Sequence, residues 1–155
     1  MQKITPFIWF ESGAKEAAKF YVKVFGKRSK VKEVRQIRDT PSGTVEVVSL
    51  DLAGQELTLM AAGPFRQINE AISFVVNCKD QKEVDHFWNA LSRGGEKGQC
   101  GWLKDKYGVS WQVVPVILPK LMADRDPAKA ARVTQAMLKM TKLDIAKLEA
   151  ASKRR

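Results

Sequence analysis

The sequence predicts an α+β protein made of paired βαβββ units that form a cupped mixed sheet, followed by a C-terminal helical extension. Three observations carry this prediction. Phe7-Ile8-Trp9-Phe10 and the stretch from Gly13 to Tyr21 line up without a gap on Phe74-Val75-Val76-Asn77 and Asp80 to Trp88, 67 residues on, with Lys-Glu and a Phe-aromatic pair recurring in register. Asp51 to Leu59 matches Asp105 to Val113, now 54 residues apart, so the second copy has lost a loop or shortened its middle strands. Beyond Pro115 the pattern turns helical. A chain built of two copies has a pseudo-twofold relation and a natural ligand site on the concave surface between them.

The elements follow in order. Ile4 to Phe10 is a short apolar run of β-formers, and Glu11-Ser12-Gly13 opens a helix. Ala14, Ala17, Ala18, Tyr21, Val24 and Phe25 recur at helical spacing until Gly26 ends it. Lys30 to Arg38 reads as an exposed strand, Thr40 to Gly43 as a turn, and Thr44–Leu52 with Gln55–Ala61 as a hairpin over Ala53-Gly54. The second unit repeats the scheme. Its parts are a strand at 71–78, a helix from about Asp80 to Arg93 with Val84, Phe87, Trp88 and Leu91 as its stripe, and short strands at 98–103 and 109–116 turning at Tyr107-Gly108. A single domain results, with units at 1–63 and 69–116 and an extension at 117–155. In the extension, 118–123 is helical, Asp126-Pro127 caps a helix to about Met140, and Thr141 with Asp144 resembles a capping box for a last helix to about Ala151. Its apolar positions, among them Val133, Met137, Leu138 and Leu148, call for cover by the body or by a second subunit.

Composition narrows the function. The chain has 155 residues, enough for one compact core, with 45% hydrophobic and 28% charged residues as in soluble globular proteins. No apolar run reaches the ~20 residues of a membrane span, and the N-terminus lacks a basic-then-apolar leader, so a cytoplasmic protein that uses no membrane is expected. Cys78 and Cys100 have no CxxC or cysteine-histidine spacing, and neither has a histidine beside it to activate a thiol. They are expected to be free, structural thiols, although both lie in the second unit and could approach each other. His86, the single histidine, falls on the polar flank of its helix. The net charge of +10 is uneven: residues 1–38 hold 10 basic and 3 acidic groups, 39–118 hold 7 and 10, and 119–155 hold 10 and 4. The excess lies outside the ligand-facing strands, and the densest patch, Lys27 to Lys32, has no interleaved aromatics to stack on bases, so no specific nucleic-acid binding is expected.

Strand alternation sorts the side chains into two sets. Phe7, Trp9, Leu57, Leu59, Phe74, Val76, Trp111 and Val113 are uniformly large and apolar and should lie under the helices. The opposite set, Pro6, Ile8, Phe10, Glu56, Thr58, Met60, Ser73, Val75, Asn77, Ser110, Gln112 and Val114, is mixed, as a small-molecule pocket is. Thr58, Met60, Ser73, Asn77 and Gln112 should therefore line the cup between the units, with Phe10 and Trp102 near its rim as stacking surfaces. This set holds no Lys or Arg, and Lys104 beside Trp102 reads as a solvated hairpin charge.

The paired units with their Phe-Tyr and Phe-Trp helices resemble the vicinal oxygen chelate superfamily of glyoxalase I, bleomycin-resistance proteins and extradiol dioxygenases. The segments 4–10 (Ile-Thr-Pro-Phe-Ile-Trp-Phe), 69–74 and above all 98–115 (Gly-Gln-Cys-Gly-Trp-Leu-Lys-Asp-Lys-Tyr-Gly-Val-Ser-Trp-Gln-Val-Val-Pro) are similar to its PhnB-like branch. That branch is often labelled 3-demethylubiquinone 3-methyltransferase, and the likeness extends over essentially the whole chain, tail included. The resemblance implies divalent-metal positions on the first and last strand of each unit, at Pro6 (or Thr5), Thr58, Ser73 and Gln112. Only Gln112 among these is a competent ligand, so no metal is expected. No GxGxxG-like turn is present for a methyl donor such as S-adenosylmethionine, and no resident cofactor is expected. The reading is a metal-independent binder of an apolar or aromatic small molecule. The alternatives are an enzyme of the same superfamily (lyase, dioxygenase or transferase type) with an unidentified substrate, and a basic nucleic-acid-associated module. Cups of this superfamily are commonly completed by a second subunit, which implies a homodimer.

Overall fold

A computed structural model describes residues 2–153. The chain divides into two compact units between Ile68 and Asn69. The first contains β1 (Phe7–Phe10), α1 (Ala14–Phe25), a 3-10 turn at Gly26–Arg28, β2 (Lys30–Thr40), β3 (Gly43–Leu52) and β4 (Gln55–Ala61). Its sheet order is β1-β4-β3-β2, with β1 parallel to β4 and the other pairs antiparallel. The expected stripe Ala14, Ala17, Ala18, Tyr21 and Val24 is the buried face of α1, and Gly26 ends the helix at φ 75°, where a Cβ would be strained. The long edge strand β2 carries Lys30, Lys32, Arg35 and Arg38, charges that deter pairing with other sheets.

The second unit contains β5 (Phe74–Cys78), α2 (Gln81–Ser92), β6 (Glu96–Lys97), β7 (Trp102–Lys104) and β8 (Ser110–Pro115), in the order β5-β8-β7-β6 with β5 parallel to β8. Both expected βαβββ units are thus present. The shrinking repeat offset is shortening of the middle strands: β2 and β3 have 11 and 10 residues, β6 and β7 only 2 and 3. Asp80 caps α2 by accepting from Glu83 N (2.9 Å), while the Glu83 carboxylate accepts from the N–H of Lys79 (2.8 Å), the residue before the cap.

One expectation fails in the first unit. Phe7 pairs with Thr58 and Trp9 with Met60, whereas Ile8 pairs with Leu59 and Phe10 with Ala61. Ile8 and Phe10 therefore share the buried face with Leu57, Leu59, Val48 and Leu50, on strands that α1 packs against. Phe7 and Trp9 are on the opposite, open face, Phe7 with 58% of its surface exposed. The cause is one residue: Glu11, Ser12 and Gly13 separate β1 from α1, but only Lys79 and Asp80 separate β5 from α2. The helices match at an offset of 67 and the first strands at 68, and a one-residue slip exchanges the two faces of a strand. Gly13 is the extra residue's conformational outlet, in the left-handed region at φ 77° directly before α1. In the second unit the expected parity holds, with Phe74, Val76 and Cys78 facing the same way as Trp111, Val113 and Pro115.

The extension forms α3 (Ile117–Met122), α4 (Pro127–Leu138) and α5 (Ile145–Lys153). Most of its apolar positions are covered by the second unit's own chain: Leu118, Val133, Leu143 and Leu148 form a buried cluster against which Val114, Leu121, Met137 and Met140 pack, while Leu138 stays 51% exposed. Asp126 caps α4 through Ala128 N (2.9 Å), as its pairing with Pro127 predicts. The cap of α5 is Asp144, which accepts from Lys147 N (3.0 Å), rather than Thr141. Among the described residues no helix is long and apolar enough to cross a membrane.

Candidate functional site

Each sheet has one face covered by α1 or α2 and an opposite, only partly open face, on which Val45, Val47 and Ser110 are buried and Val114 packs against the extension's cluster; this opposite face holds most of the expected site residues. In the first unit the cross-strand rows are Phe7–Thr58–Ser49–Glu33 and Trp9–Met60–Val47–Arg35. Thr58 and Met60 therefore share a sheet face with Phe7 and Trp9, opposite Leu57 and Leu59. Met60 and Trp9 pack on the buried Val45, Val47 and Ala62, and the Trp9 indole Nε1 donates to Gly63 O (2.8 Å). Phe10 is a correction: it is 5% exposed on the helix-covered face and cannot stack on a ligand at the open one.

In the second unit the open face carries Val75–Gln112–Trp102 in one row, Asn77–Val114 beyond it and Ser110–Lys104 before it. The Gln112 amide Nε2 donates to Ser73 Oγ (2.9 Å), so this unit brings Ser73, Gln112 and Trp102 together as a hydrogen-bonded amide-hydroxyl pair beside a half-buried indole. Asn77 lies on the same face but at the exposed end of β5. A hollow of about 260 Å³ beside Trp102 is lined by Glu70, Glu96, Lys104 and Ser110. A larger cleft of about 840 Å³ lies where the extension meets α2, but its rim charges pair with each other, Lys142 Nζ reaching Asp85 Oδ1 at 2.6 Å, and Lys142 holds that carboxyl below its usual pKa.

Arg35 and Lys104 stand on the faces opposite α1 and α2, contrary to the expectation of none. Arg35 is in register with Val47 and Met60, and Lys104 with Ser110. Arg35 lies 3.4 Å from Glu33 and Lys104 3.7 Å from Glu96, so each carries its own counter-charge. Alternation along β2 alone could not assign Arg35 to a face, because its ladder is irregular between Val31 and Glu33.

The donor set does not fit a divalent metal. Ser73 and Gln112 hydrogen-bond each other, Thr58 offers one hydroxyl between Phe7 and Ser49, and Pro6 offers no side-chain donor. Among the described residues no three of His, Cys, Asp or Glu stand close enough to hold an ion. The thiols are free; Cys78 is buried, burial pushes its pKa up to about 12, and the thiolate needed for nucleophilic chemistry is suppressed. His86 is exposed beside Phe87.

A Gln112→Leu substitution is expected to change unfolding free energy by no more than about 1 kcal/mol, since the lost hydrogen bond is only partly buried. Urea unfolding checks this, and a larger loss would make Gln112 a core residue.

Residues 2–114 match the family described as 3-demethylubiquinone-9 3-methyltransferase. The match ends at β8, so the helical extension lies outside it, which corrects the expectation that the likeness includes the tail. Among solved structures, the PhnB protein from Bacillus cereus is 28% identical with a TM-score of 0.66, the alignment covering 74% of this chain and 100% of that one. A protein from Pseudomonas aeruginosa (20% identity, TM-score 0.61, 74% and 98% covered) shares the fold. So does the fosfomycin resistance protein FosX from Listeria monocytogenes (13%, TM-score 0.56, 80% and 98%). None of the curated proteins compared with the chain matches it.

Proposed function

The chain belongs to the 3-demethylubiquinone-9 3-methyltransferase family, a PhnB-like branch of the vicinal oxygen chelate superfamily, and on that premise we propose that it is a metal-independent, cytoplasmic small-molecule binding protein. Its ligand is a planar, largely apolar molecule with a few polar groups. The observation that carries the reading is the Ser73–Gln112 pair in register with Trp102 on an open sheet face. An aromatic ring can stack on the indole while the amide N–H and the hydroxyl turn from each other to a carbonyl or hydroxyl of the ligand. The quinone ring in the family's description has that chemistry. With 2-hydroxy-1,4-naphthoquinone as probe, we expect saturable quenching of tryptophan fluorescence, weakened about tenfold or more by Trp102→Ala and by Gln112→Leu, the loss of one stacking or hydrogen-bonding contact. Quenching that is absent, or indifferent to both substitutions, would sink the reading. The second reading, a transferase, is favoured by the family's description alone. A methylated probe after incubation with S-adenosylmethionine would establish it in place of the first.

We also propose a homodimer. Ile4 and Ile72, 83% and 74% exposed, occupy corresponding places before the first strand of each unit, and Phe7 and Val75, 58% and 51% exposed, corresponding places within it. Apolar side chains exposed at matched sites are the surface a second copy would bury. Light scattering at tens of micromolar should give about twice 17.4 kDa, and the monomer mass would contradict the proposal.

A further inference from the structure

We propose that the segment Lys139–Leu143 of the helical extension stands in for the shortened outer strand of the second unit and thereby positions Trp102 for ligand binding, an inference that rests on the binding reading above. In the first unit, Thr58 of β4 faces Ser49 of β3, and the residues just before it, Val47 and Val48, are flanked on their outer side by Arg35 and Val34 of β2. In the second unit Gln112 of β8 faces Trp102, so the corresponding residues are Cys100 and Gly101. The outer strand β6 stops at Lys97 and pairs only with Leu103 and Lys104. The place of β2 is taken by the extension: Cys100 N donates to Met140 O (2.7 Å) and Gly101 N to Thr141 O (2.8 Å). On its other side the same turn is fixed to β8, because Val113 N donates to Gly101 O (2.8 Å). Trp102 follows directly, its own N–H donating to Gln99 O (3.0 Å) and its carbonyl accepting from Gly98 N (2.8 Å).

The joint is built for this one arrangement. Cys100 and Gly101 are both left-handed, at φ 58° and 82°. A Cβ on Gly101 would stand 2.7 Å from Val113 O and 3.1 Å from Leu143 Cδ1, so strand, turn and extension close on a position only glycine fits. The extension is held in turn by α2. Gln81 Nε2 donates to Leu143 O (3.1 Å), Gln81 Oε1 accepts from Ile145 N (2.9 Å), and Lys142 pairs with Asp85. Leu143 and Gln81 are therefore positioning residues for Trp102, although neither belongs to the ligand face.

The test uses the full chain labelled with 5-fluorotryptophan, the Trp102 resonance being identified by Trp102→Phe, in the variants Gln81→Leu and Leu143→Ala. We expect the amides of Cys100 and Gly101 to exchange about tenfold or more faster as their acceptors loosen. The Trp102 line should shift or split while that of Trp9, in the first unit, stays in place, and binding of 2-hydroxy-1,4-naphthoquinone should weaken about tenfold as the stacking surface loses its preorganisation. If Leu143→Ala does not fold, Gln81→Leu, which leaves the apolar cluster intact, decides alone. Unchanged exchange at both amides, or faster exchange with an unmoved Trp102 line, overturns the proposal. A wild-type protein that fails to bind the probe defeats the binding reading instead, and leaves the exchange and fluorine results to judge the joint.

Discussion

Replacing Phe10 by Ala is expected to lower the unfolding free energy by about 3–5 kcal/mol, the cost of deleting a buried aromatic ring and leaving its cavity. Phe10 is in register with Ala61 on the face where Leu57 and Leu59 are buried. Phe7→Ala, three positions earlier on the same strand, is expected to cost no more than about 0.5 kcal/mol, because most of that ring is already in water. Urea unfolding of the two variants measures the contrast directly. Equal losses, or a larger one for Phe7, would mean that β1 pairs in the other parity, and Phe10 would return to the ligand face.

Asp105→Ala is expected to be as damaging, at about 3–5 kcal/mol, because three donors, two of them in buried hydrogen bonds and one in a part-buried one, lose their acceptor at once. Asp105 is 3% exposed; its Oδ1 accepts from Tyr107 N (2.8 Å) and Val109 N (3.0 Å), and its Oδ2 from the indole Nε1 of Trp111 (2.8 Å). The carboxylate thus shapes the β7–β8 turn and anchors the ring that packs on Phe74, 5.3 Å between centroids, under α2. Asp105→Asn keeps an oxygen for the two backbone donors but sets an NH₂ against the indole N–H, and should cost about 1–3 kcal/mol, the price of one buried unsatisfied donor. Its sequence match Asp51 accepts from Gly54 N (2.8 Å) in an exposed turn, so Asp51→Ala should cost about 1 kcal/mol or less. Thermal unfolding of the three variants gives the ranking. A mild Asp105→Ala would show that water reaches the turn and takes over the carboxylate's hydrogen bonds.

Much of the sorting of side chains by face was legible in β4, β5 and β8. There, alternating large and mixed side chains separated Thr58, Met60, Ser73 and Gln112 from Leu57, Leu59, Phe74 and Trp111, because a strand with one buried face writes that burial into its period. The same rule failed in β1, where all four residues of Phe7-Ile8-Trp9-Phe10 are large and apolar and no contrast marks the buried side. Homology between the two copies then supplied a parity, and the extra residue before α1 made it the wrong one. Arg35 was missed for a related reason: β2 is an exposed edge strand, and exposure on both faces erases the signal.

The sequence by itself determined the two repeats, the order of the elements, the helix stripes and the donor chemistry at Pro6, Thr58, Ser73 and Gln112, all properties of local pattern and residue type. Only the tertiary structure decided which face of β1 is buried, that the extension's apolar residues pack against the second unit's Val114, and that Met140 and Thr141 hold Cys100 and Gly101. Periodicity records what a residue's own element buries. It carries no record of a turn's length against its counterpart, nor of hydrogen bonds between segments forty residues apart, and those set the geometry of this protein's open faces.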